Sequence, residues 1–458
     1  HNATLNGILD HKKYRGLIAL NDPQVKGTLN GLIDFSTQRI MGDIKSDIQY
    51  LNVSYFTGSS NRLSVSGSVD GKFALSGLND MSVDVSANHI VYHSDGQTVN
   101  IPNASLKAFV DNGNRIIAVN APQAVQGKIS GKFNIADLSG MIRNSMNKVL
   151  VGLAPRKIYK GQHFDMDFDI HQNLVSMFLP EVQIPSGAYI SGSYDGDSNN
   201  LVLNADAEKL IYITTGKTEM TQATDKILAK INPAYEPKTE SKTEQDSMMA
   251  DNILLRINTA NMDEQIFARI NRLQTNDTVF KEITLTGKNQ NNEKLYITAN
   301  FLHGTLENEA VNLNQSIDGN GDYVFRFDPT TVKFNEVAWS VDTSPDLDHS
   351  ITYRKKTGDF LIKHLRVYSD ESELLINQAV FKSGKNFTVD AEIHALQIAK
   401  IFEMMQNGNT MDFHGVANGK LQIVMNERNL APLVDLTIDD MKMGEKDMGN
   451  LVISAEKG

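Results

Sequence analysis

The chain contains no cysteine, which excludes disulfides, thiolate metal sites, iron–sulfur clusters and thiol nucleophiles together. It holds one tryptophan, Trp339, and so lacks the Cys and Trp landmarks of an immunoglobulin-type sandwich. No apolar run approaches the roughly 18 to 20 residues of a membrane-spanning helix. Stretches such as Val149 to Ala154 are far shorter. Positive charge is in deficit: 44 Lys and Arg stand against 55 Asp and Glu, a formal net charge of -11 that disfavours binding to phosphate backbones. Nucleic acid is not expected as a partner. The chain opens at His1 without an initiator Met, a basic n-region or an apolar h-region, and reads as an internal portion of a longer protein.

What is present is a hydrophobic share of 40%, enough for most of the chain to fold. Its pattern is period two from end to end. Phe164, Met166, Phe168 and Ile170 interleave with Asp165, Asp167 and Asp169. Leu63, Val65 and Val69 alternate with serines, and Met81, Val83, Val85 and Ala87 with Ser82, Asp84 and Ser86. Such runs put apolar groups on one face of a strand and small or acidic groups on the other. Hairpin signals are expected at Asp70-Gly71, Asp111-Asn112-Gly113, Asp195-Gly196, Asn320-Gly321 and Asn418-Gly419. Long helical crossovers are lacking, so the fold class is all-β, an elongated antiparallel meander with a few short amphipathic helices. From these residues alone, two ways of treating the apolar face stay open: a filled sandwich or solenoid, or an open lined groove.

Helical spacing covers Asp137 to Leu153, with Asp137 placed to cap it, and Ala395 to Gln406; Glu219 to Ile231 forms a third candidate. Pro233 to Asp246, rich in Pro, Lys, Thr, Glu and Ser, reads as an exposed excursion. The expected organisation is therefore a first β segment over 1–215, an insertion over 216–252 and a second β segment over 253–458.

Motifs for chemistry fall short. Gly216-Lys217-Thr218 has Ile211 where a phosphate loop needs Gly. Asp318-Gly319-Asn320-Gly321-Asp322 lacks the later bidentate Glu of a calcium loop and reads as a turn, as does Asp195-Gly196-Asp197. His89 and His93 are surface histidines on a strand, and no nucleophile elbow is present. The expectation is a protein that is not an enzyme and takes no metal or cofactor.

Several stretches carry a family resemblance. Tyr14-Arg15-Gly16-Leu17-Ile18-Ala19-Leu20-Asn21-Asp22-Pro23, leading into Gly27-Thr28-Leu29-Asn30-Gly31-Leu32-Ile33-Asp34-Phe35, resembles the repeating unit of TamB-type proteins of Bacteroidetes. Phe325 to Ser340, which includes Trp339, and then Ile362 to Tyr368, resemble later segments of that family. Phe413-His414-Gly415-Val416-Ala417-Asn418-Gly419-Lys420-Leu421-Gln422-Ile423, followed by Ala431 to Leu436, is similar to its G-x-x-x-G, strand, x-P module. The likeness is clearest over 1–35 and 323–458, and none of its motifs is catalytic. It implies the β-groove shared with AsmA-like and bridge-like lipid-transfer proteins, anchored in the inner membrane of a Gram-negative bacterium and crossing the periplasm. It also implies a link to phospholipid movement toward the outer membrane and to outer-membrane protein assembly with a BamA-like partner.

The expected function is thus a periplasmic, non-catalytic conduit for phospholipid acyl chains. At about 4.8 Å per strand, some 25 to 30 strands make a trough on the order of 120 to 145 Å long. Residues expected to line it are Leu63, Val65, Phe73, Leu75, Val83, Val85, Phe164, Met166, Phe168, Ile170, Tyr323, Phe325, Phe327, Leu421, Ile423, Val434, Leu436 and Ile438. The alternatives are a scaffold that assists assembly of outer-membrane β-proteins through sheet edges, and a filled β-solenoid with a structural or adhesive role.

Overall fold

Period-two alternation becomes strand after strand in the computed structural model, which describes residues 2–57, 63–77, 79–94, 97–214, 246–275, 278–302, 309–334, 337–382, 386–399, 413–426, 429–444 and 446–455. The chain divides into two units. The first is His1–Met146, Ala154–Ile213 and Met249–Ala260; the second is Asn147–Leu153, Thr214–Met248 and Asn261–Gly458. Asn147–Leu153 thus groups with the second unit and Met249–Ala260 with the first.

In the first unit the strands are β1 (Asn2–Asp10), β2 (Lys13–Asn21), β3 (Val25–Asp34), β4 (Ile40–Asn52), β5 (Leu63–Gly77), β6 (Asp80–Ser94), β7 (Gln97–Asp111), β8 (Asn114–Ala121), β9 (Val125–Lys132), β10 (His163–Ile170), the two-residue β11 (Val182–Gln183), β12 (Ala188–Asp195) and β13 (Asn200–Thr214). Most of β14 (Asp246–Asn258) follows. Every neighbouring pair from β1 to β10 is antiparallel, β10 then pairs with β12, and β13 pairs with both β12 and β11. An all-β antiparallel meander is the architecture.

Among the described residues of this unit, α1 (Val53–Thr57), α2 (Leu138–Met146) and α3 (Gln172–Phe178) interrupt it. The helix expected to run from Asp137 to Leu153 stops seven residues early. Beyond Met146 the backbone is held by side chains instead of helical bonds. Gln265 Nε2 donates to the Lys148 carbonyl at 3.0 Å and Asn289 Nδ2 to the Val149 carbonyl at 2.8 Å. Val149 and Val151 are buried there, which makes leaving the helix favourable. Asp137 ends a 3-10 turn, Ile135–Asp137, and its carboxylate accepts from Gln162 Nε2 at 2.9 Å. Nothing in the periodicity announced α1 or α3. Of the other helical expectations, residues 395–397 belong to a strand while 398 and 399 are helical, and 400–406 and 219–231 lie outside the described residues, as do Gly216-Lys217-Thr218 and 233–245.

Two expected turns are not turns. Asp70-Gly71 sits in the middle of β5, where Gly71 pairs with Ile44 and Val85. Asn418-Gly419 likewise lies inside a strand. The other three are turns, and Asn112 (φ 49°) and Gly113 (φ 81°) supply the positive φ that a tight hairpin needs.

The second unit runs through β15 (Ile266–Thr275), β16 (Thr278–Gln290), β17 (Lys294–Leu302), β18 (Glu309–Ile317), β19 (Tyr323–Phe327), β20 (Thr331–Phe334), β21 (Val337–Val341), β22 (Ser350–Arg354), β23 (Asp359–Tyr368), β24 (Glu373–Phe381), β25 (Phe387–Gln397), β26 (Phe413–Asn426), β27 (Asn429–Met443) and β28 (Lys446–Ala455). It is again antiparallel, but its middle is split: β18 pairs with both β19 and β20, and β23 with both β21 and β22. Pro329, which has no N–H to give the ladder, separates β19 from β20. Side chains take over the interrupted bonds. Phe327 N donates to His349 Nε2 at 3.0 Å, Asn312 N to Thr330 Oγ1 at 3.0 Å, and Arg366 bridges Asp342 at 2.8 Å and Glu373 at 2.7 Å.

One strand end carries a pH signature. Asp34, 6% exposed at the end of β3, accepts from Ser36 Oγ at 2.5 Å and Ser36 N at 2.9 Å, with Lys13 Nζ 3.0 Å away. The Ser36 bonds first, then Lys13, lower its pKa from 3.8 to about 2. A carboxyl depressed on folding stabilises the native state above its unfolded value, and that contribution is lost as pH falls from 3.8 toward about 2. Asp34→Asn is expected to unfold at lower urea than the parent at neutral pH, with the gap closing toward pH of about 2. Urea midpoints across that range check this; a gap constant with pH refutes it.

Candidate functional site

Antiparallel pairing turns each strand's alternation into rows that cross the sheet. In the first unit one row reads Leu9, Tyr14, Ile33, Gly42, Phe73, Val83, Ala108, Ile117, Ile129, Met166, Gly192 and Leu203, each residue paired with the next. Every position is aliphatic, aromatic, Met or glycine. Two residues along, Gly71, Val85, Leu106, Val119, Gly127, Phe168, Ile190 and Ala205 form a second such row. The opposite face is polar. There Asp43, Lys72, Asp84 and Lys107 are paired in turn, with Lys72–Asp43 at 3.4 Å and Lys107–Asp84 at 3.3 Å, and Lys45–Asp70 lies at 3.1 Å. Such exposed pairs contribute little stability, about 0 to 1 kcal/mol each. Their chemistry keeps that face wet and penalises a one-residue slip, which would turn the charges onto the apolar side. Asp165, Asp167 and Asp169 belong to this polar face, opposite the Phe164-to-Ile170 set.

Glycine shapes the apolar face. Gly27 and Gly31, Gly67 and Gly71, Gly127 and Gly131, and Gly415 and Gly419 recur four apart, a spacing that puts both members on one side of a strand. A Cβ at Gly31 would lie 2.1 Å from the Asp43 carbonyl oxygen, and φ there is +155°. At Gly127 it would lie 2.1 Å from the Asp167 carbonyl and 2.7 Å from the Phe168 ring. The missing side chain lets the neighbouring backbone approach closely and leaves a seat for an aromatic ring from the next strand. Phe168 sits against Gly127, and Phe73 against Gly42.

The apolar face is closed in the first unit where helices lie on it. Met141 of α2 is fully buried in a cluster with Phe133, Phe164, Tyr194 and Leu201, with Ile117, Ile129 and Met166 packed against it. Leu174 and Met177 of α3 pack on Tyr92, Val99, Ile101, Ala121 and Ala124. Away from these clusters Val83, Val85, Val119 and Phe168 are half-buried, and Leu106 is exposed. In the second unit, Leu396, Ala417 and Ile438 are buried with Trp339 against them.

Placed on this map, Leu63, Val65, Phe73, Val83, Val85, Met166, Phe168, Ile170, Tyr323, Phe325, Phe327, Leu421, Ile423, Val434 and Leu436 are half-buried strand residues. Three differ. Phe164, 1% exposed, is core beneath α2, stacked on Tyr194 with centroids 5.5 Å apart. Ile438 is 9% exposed in the Trp339 cluster, and Leu75 is exposed. Sequence reasoning missed the glycine seats and α3; the four-residue glycine spacing inside strand patterns was the available signal for the seats.

Charged motifs resolve into local structure. Asp318 Oδ1 accepts from Asn320 N at 2.9 Å and Asp322 N at 3.0 Å, and these backbone donors hold its carboxyl below the usual range. Asp195 accepts from Asp197 N and Ser198 Oγ. His89 and His93 are exposed. Among the described residues no three His, Asp or Glu side chains converge as a metal site, and no helix is long and apolar enough to cross a membrane. Comparison with protein-family models, with characterised proteins and with solved structures finds no match for this chain.

Proposed function

We propose that the chain is part of a periplasmic conduit whose apolar strand face carries phospholipid acyl chains between the inner and outer membranes, without bond chemistry. The observation that carries this reading is the apolar face whose pairing runs through twelve strands of the first unit, closed by α2 over Ile117, Ile129 and Met166 but half-buried at Phe73, Val83, Val85 and Phe168, and backed by a mainly polar face. An acyl methylene moved from water onto apolar surface gains about 0.8 kcal/mol, so the part of the face that no helix covers offers a tail a surface without a polar interruption. Glycine seats and half-buried rings suit such low-specificity contact. The inner-membrane anchor and a BamA-like outer-membrane partner come into this proposal from the family resemblance.

The test is lipid extraction and mass spectrometry on detergent-free protein, beside a Phe168→Asp, Phe325→Asp variant and a Leu421→Ala variant. Phospholipid is expected with the parent, strongly reduced in the double Asp variant and little changed by Leu421→Ala. A folded parent that carries no lipid overturns the proposal.

A further inference from the structure

At one end of the second unit's strands the apolar face finishes in aromatics. Tyr323, Tyr353, Phe360, Phe381, Phe387 and Met425 form one cross-strand row, each paired with the next. Ring centroids lie 6.5 Å apart for Tyr323–Tyr353, 5.0 Å for Tyr353–Phe360 and 6.1 Å for Phe381–Phe387. The row is not covered: Phe360 is 47% and Phe381 39% exposed. At the other end of these strands, Trp339 and the Leu396–Ala417–Ile438 cluster bury the same face. The difference is therefore local to this end.

The turns beside the row are cationic. Arg354, Lys355 and Lys356 follow Tyr353, and Lys382 follows Phe381; all four are exposed. Lys355 Nζ stands 3.8 Å over the Tyr323 ring. Among the described residues none of the four has a carboxylate partner, unlike Arg366, which has two. Three acids share these turns: Asp318 accepts from backbone N–H groups of its own loop, Asp322 from Lys355 N at 3.1 Å, and Asp359, 9% exposed, lies across the ladder from Arg354. In a chain of net charge -11, four exposed cations without a salt-bridge partner among the described residues still stand next to exposed rings here.

We infer that this edge docks on an anionic phospholipid bilayer, with Phe360 and Phe381 at headgroup depth and Lys355, Lys356, Arg354 and Lys382 against lipid phosphates. Aromatic rings beside lysine or arginine are the side chains that partition to membrane interfaces, the ring at headgroup level and the cation toward the phosphates. Charge complementarity selects the occupant: each Lys or Arg of a polybasic segment is drawn to an anionic surface, an attraction that salt screens. The inference rests on the exposed edge alone and does not need the sheet to carry lipid.

The test is co-sedimentation of the full 458-residue chain with vesicles of phosphatidylcholine alone or mixed with phosphatidylglycerol. Binding to the mixed vesicles only, weakened by salt, is expected. Lys355→Glu with Lys356→Glu is expected to lower the affinity by about tenfold or more. Phe360→Ser with Phe381→Ser is expected to weaken it as well, and circular dichroism checks that both variants fold. No binding by the parent, equal binding to both vesicle types, or binding unmoved by either pair of substitutions overturns the inference. Lipid co-purification reads the conduit separately, so one proposal can fail while the other stands.

Discussion

Gly31→Val is expected to cost the protein several kilocalories per mole, and to leave little folded material if the parent is marginal. The new Cβ would meet the Asp43 carbonyl oxygen at 2.1 Å and the Ile44 Cα at 2.9 Å, and both obstacles are backbone of a paired strand. No rotamer relieves such a contact. The strand must move or the φ of +155° must change, and a β-branched residue tolerates that φ poorly. Overpacking and backbone strain each cost about 1 to 3 kcal/mol, so the sum is about 2 to 6 kcal/mol. Gly319→Ala is the control: its Cβ would have nothing within 4 Å, and its effect is expected to be small. Thermal unfolding of the two variants beside the parent decides the matter. If Gly31→Val melts with the parent, the glycine seats do not shape the face.

Phe164→Ala should produce an effect of similar size by the opposite route. The ring is 1% exposed, stacked on Tyr194 at 5.5 Å and set edge-on to Phe133 at 6.1 Å, with Met141 of α2 in the same cluster. Truncating a buried Phe removes its transfer free energy and leaves a cavity, together about 3 to 5 kcal/mol. Because Phe164 holds α2 onto the sheet, the loss is expected both as a lower urea midpoint and as earlier proteolysis of the 138–146 region. Phe168→Ala, at a half-buried position further along the same strand, is expected to lose clearly less. Equal losses would mean that α2 does not close this part of the face. An acidic substitution at Phe164 would therefore report on folding, whereas one at Phe168 reports on the accessible face.

Alternation made the strands legible. The faces of Phe164 to Ile170 follow from their spacing alone, because side chains two apart must share a side. Spacing did not separate a turn glycine from a strand glycine. Asp70-Gly71 and Asn418-Gly419 have hairpin composition, yet both glycines lie in the ladder, where their lack of a side chain admits a neighbouring backbone. Short-range composition carries no information about what approaches from the next strand. The end of α2 was hidden for the same reason: Leu150 and Leu153 keep helical spacing, but Gln265 and Asn289, more than a hundred residues away, bind the carbonyls of Lys148 and Val149.

Composition and alternation were thus sufficient for the antiparallel all-β class, a dry and a wet side for each strand, and the exclusion of thiol chemistry. All three rest on side-chain direction and residue type, which are local. Packing between distant segments was needed to divide the dry residues into core and open surface. Phe164 and Phe168 have the same residue type and the same face, and differ because α2 lies on one and not on the other. The register that lines up apolar residues from twelve strands was likewise set by long-range pairing, as was the aromatic end row that gathers Tyr323, Tyr353, Phe360 and Phe381. A continuous surface is a property of neighbours in space, and the chain order does not name them.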